Sequence, residues 1–319
     1  MGSGADDIHR SGVGRIVDAM VDVDEGDTDA GRRVDELADV LVRTVEIAMD
    51  APGQAEWSPF PASLIDQERA PLEGAWLEAH LLAWTYVAMT AQAATDHLAS
   101  LGAVLRGRTA LGLLVMARTA GEAAGQGWWL AEDGIGHVER VRRAYGIRAR
   151  GLMESERLAS QFLEHAGDHN QDHLAEQRDR IRANRQRVLR QARDDLGFKV
   201  HREGEELTHL VDGPTSRTEL FRDVMSSASI AVGGIVYGQW SGVAHSNPVT
   251  LLDYHDQTEI DADTAGLHLR LLLSTVESTV YATVNAHRQM MDRVYLISGW
   301  DATAWEAWKN DQTSVMSAT

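Results

Sequence analysis

The sequence predicts an all-α protein, an irregular multi-helix bundle, on three observations. Only 6 prolines occur in 319 residues, and Ala, Leu and Arg, all good helix formers, abound. Apolar residues make up 44%, enough for a substantial core. Apolar positions recur at three- and four-residue spacing over most of the chain.

Residues 1–30 are rich in Gly and Asp and read as a flexible acidic tail. Its aspartates lack the spacing of a calcium loop. Residues 31–319 read as a single helical-bundle domain. Val34, Leu37, Leu41, Val45 and Ala48 define a first helix. A four-proline stretch from Ala51 to Pro71 reads as a surface loop. Pro71 suits a first helical position and opens a long helix to about Arg106. A second long helix runs from Thr109 to Ala131 and stops at Gly134–Gly136. Shorter helices are expected at 137–146 and 152–166, then a polar, Arg-rich helix to Leu196. Residues 198–213 read as an irregular or hairpin insertion near Gly204. Helices at 216–226, 228–244, 263–297 and around 300–309 complete the chain. Gly234, Gly238 and Gly242 recur every four residues, a ridge where another backbone can approach closely.

The formal charge is −18, which disfavours nucleic acid and acidic membranes as partners. It is unevenly spread: residues 139–202 hold 15 basic and 10 acidic side chains. No cysteine occurs, which removes disulfides, thiolate metal ligands and a cysteine nucleophile, and fits a reducing compartment. No apolar leader or membrane span is visible. The expected location is cytoplasmic.

The 109–131 helix is apolar nearly all round, so its few polar residues should be buried. Arg118 and Glu122 are four apart and share a face. Burying such a pair costs several kcal/mol per ion unless further partners satisfy both. The pair therefore fits a structural register lock or one wall of a ligand site. On the later helix Tyr237, Ser241 and His245 follow at four-residue steps. His245 stands where that helix should end, as a cap or a site residue. His97 lies on an apolar face of the 71–106 helix. Nine tryptophans fill the core or line a pocket, Trp84 and Trp129 among them. His165, His169 and His173 have metal-ligand spacing but acidic, exposed surroundings, and no HExxH occurs. No metal or cofactor is expected. Seven arginines between Arg178 and Arg193 are spread round their helix. They suit a solvated helix, or one docked on an acidic surface of this chain or another.

The segments LLVMARTAGEAAGQGWWLAED, ERVRRA, YGQWSGVAHSN and DHLASL together resemble a group of uncharacterised, mostly actinobacterial, all-helical proteins. Those carry Arg-x-x-x-Glu on an early helix and Ser-x-x-x-His at the end of a late one. The resemblance implies that His97, Arg118, Glu122, Ser241 and His245 converge. The group is distantly similar to HEPN proteins, many of them ribonucleases or toxin-system partners. The nearest counterpart of the HEPN Arg…His signature is Arg202 with His209, in a segment read as non-helical.

The sequence thus leads to a small-molecule ligand pocket, catalytic if His245, His97 or Glu122 moves a proton. Arg118, Ser241, Tyr237, Trp129 and Trp84 would bind the ligand. A HEPN-like ribonuclease and an interaction protein using the Arg-rich helix are the alternatives. A homodimer is a further expectation.

Overall fold

The computed structural model describes residues 28–50, 59–165, 170–211, 216–227, 233–244 and 273–316. These contain ten helices and one β-hairpin. The acidic tail to residue 27 lies outside them, as do His245 and the first part of the 263–297 segment.

α1 (Thr28–Met49) and α3 (Gly74–Arg106) pack together. Gly102 lets α3 approach the Leu41 side chain and the Ala38 carbonyl. Between them, the proline-rich stretch contains a short helix, α2 (Leu64–Arg69). Ser63 caps it by accepting from the Asp66 amide at 3.2 Å, and Asp66 reaches back to the Ala62 amide at 2.9 Å. The two bonds resemble a capping box shifted by one residue, since the Ser63 amide itself donates to the Phe60 carbonyl, and the Ser-x-x-Asp signal is present in the sequence. α3 starts at Gly74 rather than Pro71. The Leu72 amide is already committed to the Arg69 carbonyl, and Gly74 has φ +55°.

α3 and α4 (Ala110–Leu130) form an antiparallel pair at the centre. α4 ends at a turn in which Gly134 and Gly136 have φ +76° and +69°, a left-handed conformation that favours glycine. α5 (Gly136–His165) then runs unbroken through Gly146 and Gly151, where two helices were expected. α6 (Gln171–Asp194) packs against it. That lateral packing offsets the cost of helical glycine, about 1 kcal/mol each. The hairpin β1 (Val200–Glu203) and β2 (Glu206–Leu210) turns at Gly204, as the sequence suggested.

α7 (Arg217–Ser227) and α8 (Gly233–Ala244) cover the outer side of α4. α9 (Leu273–Ser298) crosses α4, α3 and α1. α10 (Thr303–Met316) closes over α1 and is longer than expected. An aromatic stack, Tyr295–Trp305–Trp308, fastens α10 to α9 with ring centres 5.6 and 4.8 Å apart.

The core lies among α1, α3, α4 and α9 and includes Leu41, Leu98, Leu101, Leu113, Val280 and Met290. No helix among the described residues is long and apolar enough to cross a membrane.

The Arg-rich helix is docked, not projecting. Arg185 is buried and donates to Glu156 on α5 at 2.8 Å and to Glu206 on β2 at 2.9 Å. Arg182 also reaches Glu206, at 2.8 Å. Arg178, Arg180 and Arg193 pair with acids of their own helix.

The end of α4 is held by three arginines from elsewhere. Arg293 of α9 donates to the Trp128 carbonyl at 2.8 Å and lies 3.7 Å over the Trp128 ring. Arg143 of α5 donates to the Trp129 carbonyl and lies 4.7 Å over the Trp129 ring. Arg140 of α5 takes the Leu130 carbonyl at 2.5 Å. Carbonyls at a helix C-terminus lack intrahelical donors and carry partial negative charge. Here each of three consecutive ones has its own cation.

Candidate functional site: the Glu122 cluster between α4, α7 and α8

α4 brings α7 and α8 close because it carries glycines on that side. A Cβ on Gly121 would sit 2.4 Å from the Phe221 ring and 3.4 Å from the Trp240 ring. One on Gly125 would meet the Leu220–Phe221 backbone at 3.0 Å. The glycines that build this contact are on α4; of the α8 glycines Gly238 faces open space, and Gly234 is outside the described side chains. Phe221 in turn packs on Tyr237 and Trp240, with ring centres 5.4 and 5.3 Å away.

This packing delivers the Tyr237 hydroxyl to the α4 ion pair. Glu122 Oε1 accepts from Arg118 Nε at 2.8 Å and from the Tyr237 hydroxyl at 2.8 Å. Glu122 Oε2 faces Arg217 Nη1 of α7 at 3.5 Å. The Arg118 guanidinium lies 5.7 Å from the Tyr237 ring centre. Burial disfavours the Arg118 cation. The hydrogen bond and charge of Glu122, with Tyr237, outweigh it and raise the guanidinium above its ordinary value. Both members of the pair are only partly enclosed: the side chains are 18% and 13% exposed. The cluster therefore sits at a seam rather than in the deep interior.

The expected site residues divide as follows. Arg118, Glu122 and Tyr237 meet. Ser241, one turn beyond Tyr237, is half-buried on α8; His245 lies outside the described residues. His97 is half-buried on α3. It is seven residues from both Thr90 and Val104, which meet α4 beside Gly127 and Gly112. Helical spacing places it on that same face, level with the Arg118 turn, with no hydrogen bond to the cluster among the described residues. Trp129 is occupied under Arg143. Trp84 is buried elsewhere, its ring edge-on to Trp300 at 6.3 Å. The tryptophan of this seam is Trp240. Arg217 and Phe221 had no signal in the sequence, because what places them, Glu122 for Arg217 and Gly121 for Phe221, is on another helix.

The remaining expectations fall apart from this seam. α5 ends at His165 and α6 begins at Gln171, so His165 and His173 stand on different helices, and His169 is outside the described residues. No metal-holding group of three acids or histidines occurs among the described residues. Arg202 and His209 are exposed on the hairpin, with His209 stacked on His201 at 4.6 Å.

A second Arg–Glu–Tyr cluster ties α1 to α9. Arg33 donates to Glu277 at 2.7 Å and to the Tyr281 hydroxyl at 2.6 Å. It shows that this chemistry also serves as a plain interhelical clamp.

Comparison with known proteins yields no match: no family model, no curated protein and no solved structure is similar to this chain.

Gly121→Ala tests the packing that builds the seam. The added methyl forces Phe221 away and draws Tyr237 off Glu122. Overpacking costs roughly 1–3 kcal/mol, partly offset by up to about 1 kcal/mol of helix propensity. Urea unfolding followed by tryptophan fluorescence should show a net loss of stability. Unchanged stability would mean that Phe221 relaxes freely.

Proposed function

We propose that the chain binds a small organic ligand at the α4–α7–α8 seam, in the cytoplasm. The observation that supports this most is Glu122: a carboxylate held at one oxygen by two donors 2.8 Å away, with its other oxygen turned toward the exposed Arg217. Arg118 and Tyr237 fix its direction, and Oε2 is the acceptor a ligand meets. A ligand carrying a hydroxyl, an amine or an amide N–H would suit it. Displacing the long Arg217 contact costs little, since exposed ion pairs are worth about 0–1 kcal/mol. Ser241 adds a second polar group one turn beyond Tyr237, and the buried Phe221 and Trp240 rings back Tyr237 from the interior. If the bound molecule is also transformed, Glu122 is the proton acceptor within this cluster. His97 and His245 are further candidate bases.

Small molecules released from the purified protein and identified by mass spectrometry test this. The wild type should carry a compound that Glu122→Gln, folded to the same extent by circular dichroism, has lost. Equal loads on both proteins, or none on the wild type, would remove the reading.

A further inference from the structure

Resting on the ligand reading of Glu122, we propose that the site continues one turn along α4 to Gln126, which selects the ligand: a short-chain amine carrying a neutral carboxamide about 6 Å from its nitrogen.

Val115, Arg118, Thr119, Glu122, Gln126 and Trp129 are all partly enclosed positions of α4. At about 100° per residue they share one sector of the helix, roughly 100° wide. On one side of that sector α3 packs at Gly112 and Gly127; on the other, α7 and α8 pack at Gly121 and Gly125. The sector is therefore a strip between two packed flanks. At the C-terminal end of α4 Arg143 closes it, 4.7 Å over the Trp129 ring.

Glu122 and Gln126 stand on successive turns of this strip, about 6 Å apart along the axis. Glu122 has its partners, and the Thr119 hydroxyl donates to the Met116 carbonyl at 2.9 Å. The Gln126 amide neither gives nor receives a hydrogen bond among the described residues. Enclosed amides normally find a partner, and a ligand lying along the strip from Glu122 supplies one.

The chemistry of each end follows. Glu122 Oε2 faces the Arg217 cation, so an ammonium is the group best suited to replace it. At the Gln126 end a carboxylate would find the arginines on and over the strip already engaged. Arg118 is held by Glu122 at 2.8 Å, and Arg143 by Glu132 and Glu139 at 2.6 and 2.8 Å. A carboxamide needs no counter-ion and both gives and accepts hydrogen bonds, as the Gln126 amide does.

Ligand-observed NMR titration of the full chain with butylamine, 4-aminobutanamide and 4-aminobutanoate tests this. The wild type should bind the amide about three- to tenfold more tightly than butylamine, and the carboxylate no better than butylamine. Gln126→Leu, close in size, should bind butylamine as the wild type does and lose the advantage of the amide. Gln126→Glu should reverse the order and favour 1,4-diaminobutane over the amide, a gain that misfolding cannot imitate. A wild type that does not bind the amide, that binds the carboxylate more tightly, or whose preference for the amide survives Gln126→Leu would overturn the proposal. In each of those cases butylamine binding that Glu122→Gln abolishes leaves the Glu122 reading standing. Butylamine binding indifferent to Glu122→Gln would remove both.

Discussion

Arg140→Met should destabilise the protein by about 3–5 kcal/mol, the usual cost of breaking one partner of a buried ion pair. Arg140 is completely buried. It donates twice to Glu68, at 3.2 Å each, and once to the Leu130 carbonyl at 2.5 Å. Glu68 is itself 9% exposed. Removing the guanidinium therefore strands a carboxylate and a helix-terminal carbonyl, both away from water. The pair in place need not be stabilising relative to apolar residues of similar volume. Glu68→Gln added to Arg140→Met should therefore recover part of the loss. Urea unfolding midpoints of the wild type, both single variants and the double variant measure this. Additive losses would show that Arg140 and Glu68 act independently and would refute the coupling.

Acid should weaken the fold through His287 before most carboxylates titrate. His287 is buried among α3, α9 and α10. Its Nε2 is 2.9 Å from Thr95 Oγ1, and its ring meets Trp305 edge-on. The Thr95 hydroxyl donates to the Ala91 carbonyl, so it accepts from His287, and Nε2 carries the proton. Nδ1 is then a bare nitrogen with no partner. Burial holds the imidazole neutral and pushes its pKa from 6.5 down to about 3. The unfolded chain takes up a proton near pH 6.5 and the folded one only near 3. The stabilisation is present above pH 6.5 and is lost as pH falls toward 3, by about 1.4 kcal/mol per unit. Glu139 and Glu206, whose pKa values lie below the ordinary one, lose their own contributions at lower pH. His287→Gln keeps a donor for Thr95 and has nothing to protonate. It should make the profile shallower between pH 6.5 and 4.5, the remaining slope belonging in part to His80, whose pKa burial also lowers. Parallel profiles for the two proteins would show that His287 is not the group responsible.

Particular elements show how far a reading of residues alone could go. The α4 segment announced itself as buried because it is apolar on every side, and its end because Gly134 and Gly136 suit a left-handed turn. The Arg118–Glu122 contact is local, four residues apart, so helical spacing was enough to find it. α5 was divided at its glycines because local propensity cannot see α6 lying alongside. Trp129 could be read as core or as pocket wall because Arg143, which uses its ring as a platform, comes from α5. The Arg-rich helix could be read as solvated or as docked on an acidic surface, and the residues did not decide between them because Glu156 and Glu206, which neutralise Arg185, are distant in sequence.

Helix content, the hairpin at Gly204 and the i to i+4 pairs are properties of neighbours along the chain. Dihedral preference and helical periodicity determine them, and the sequence carries both. Which carboxylate a buried arginine meets, and which ring fills the space beside Gly121, depend on elements 21 to 165 residues apart coming together. Only packing in three dimensions decided those. Burial makes an unpaired charge or an empty volume costly, but it does not say in advance which distant residue will satisfy it.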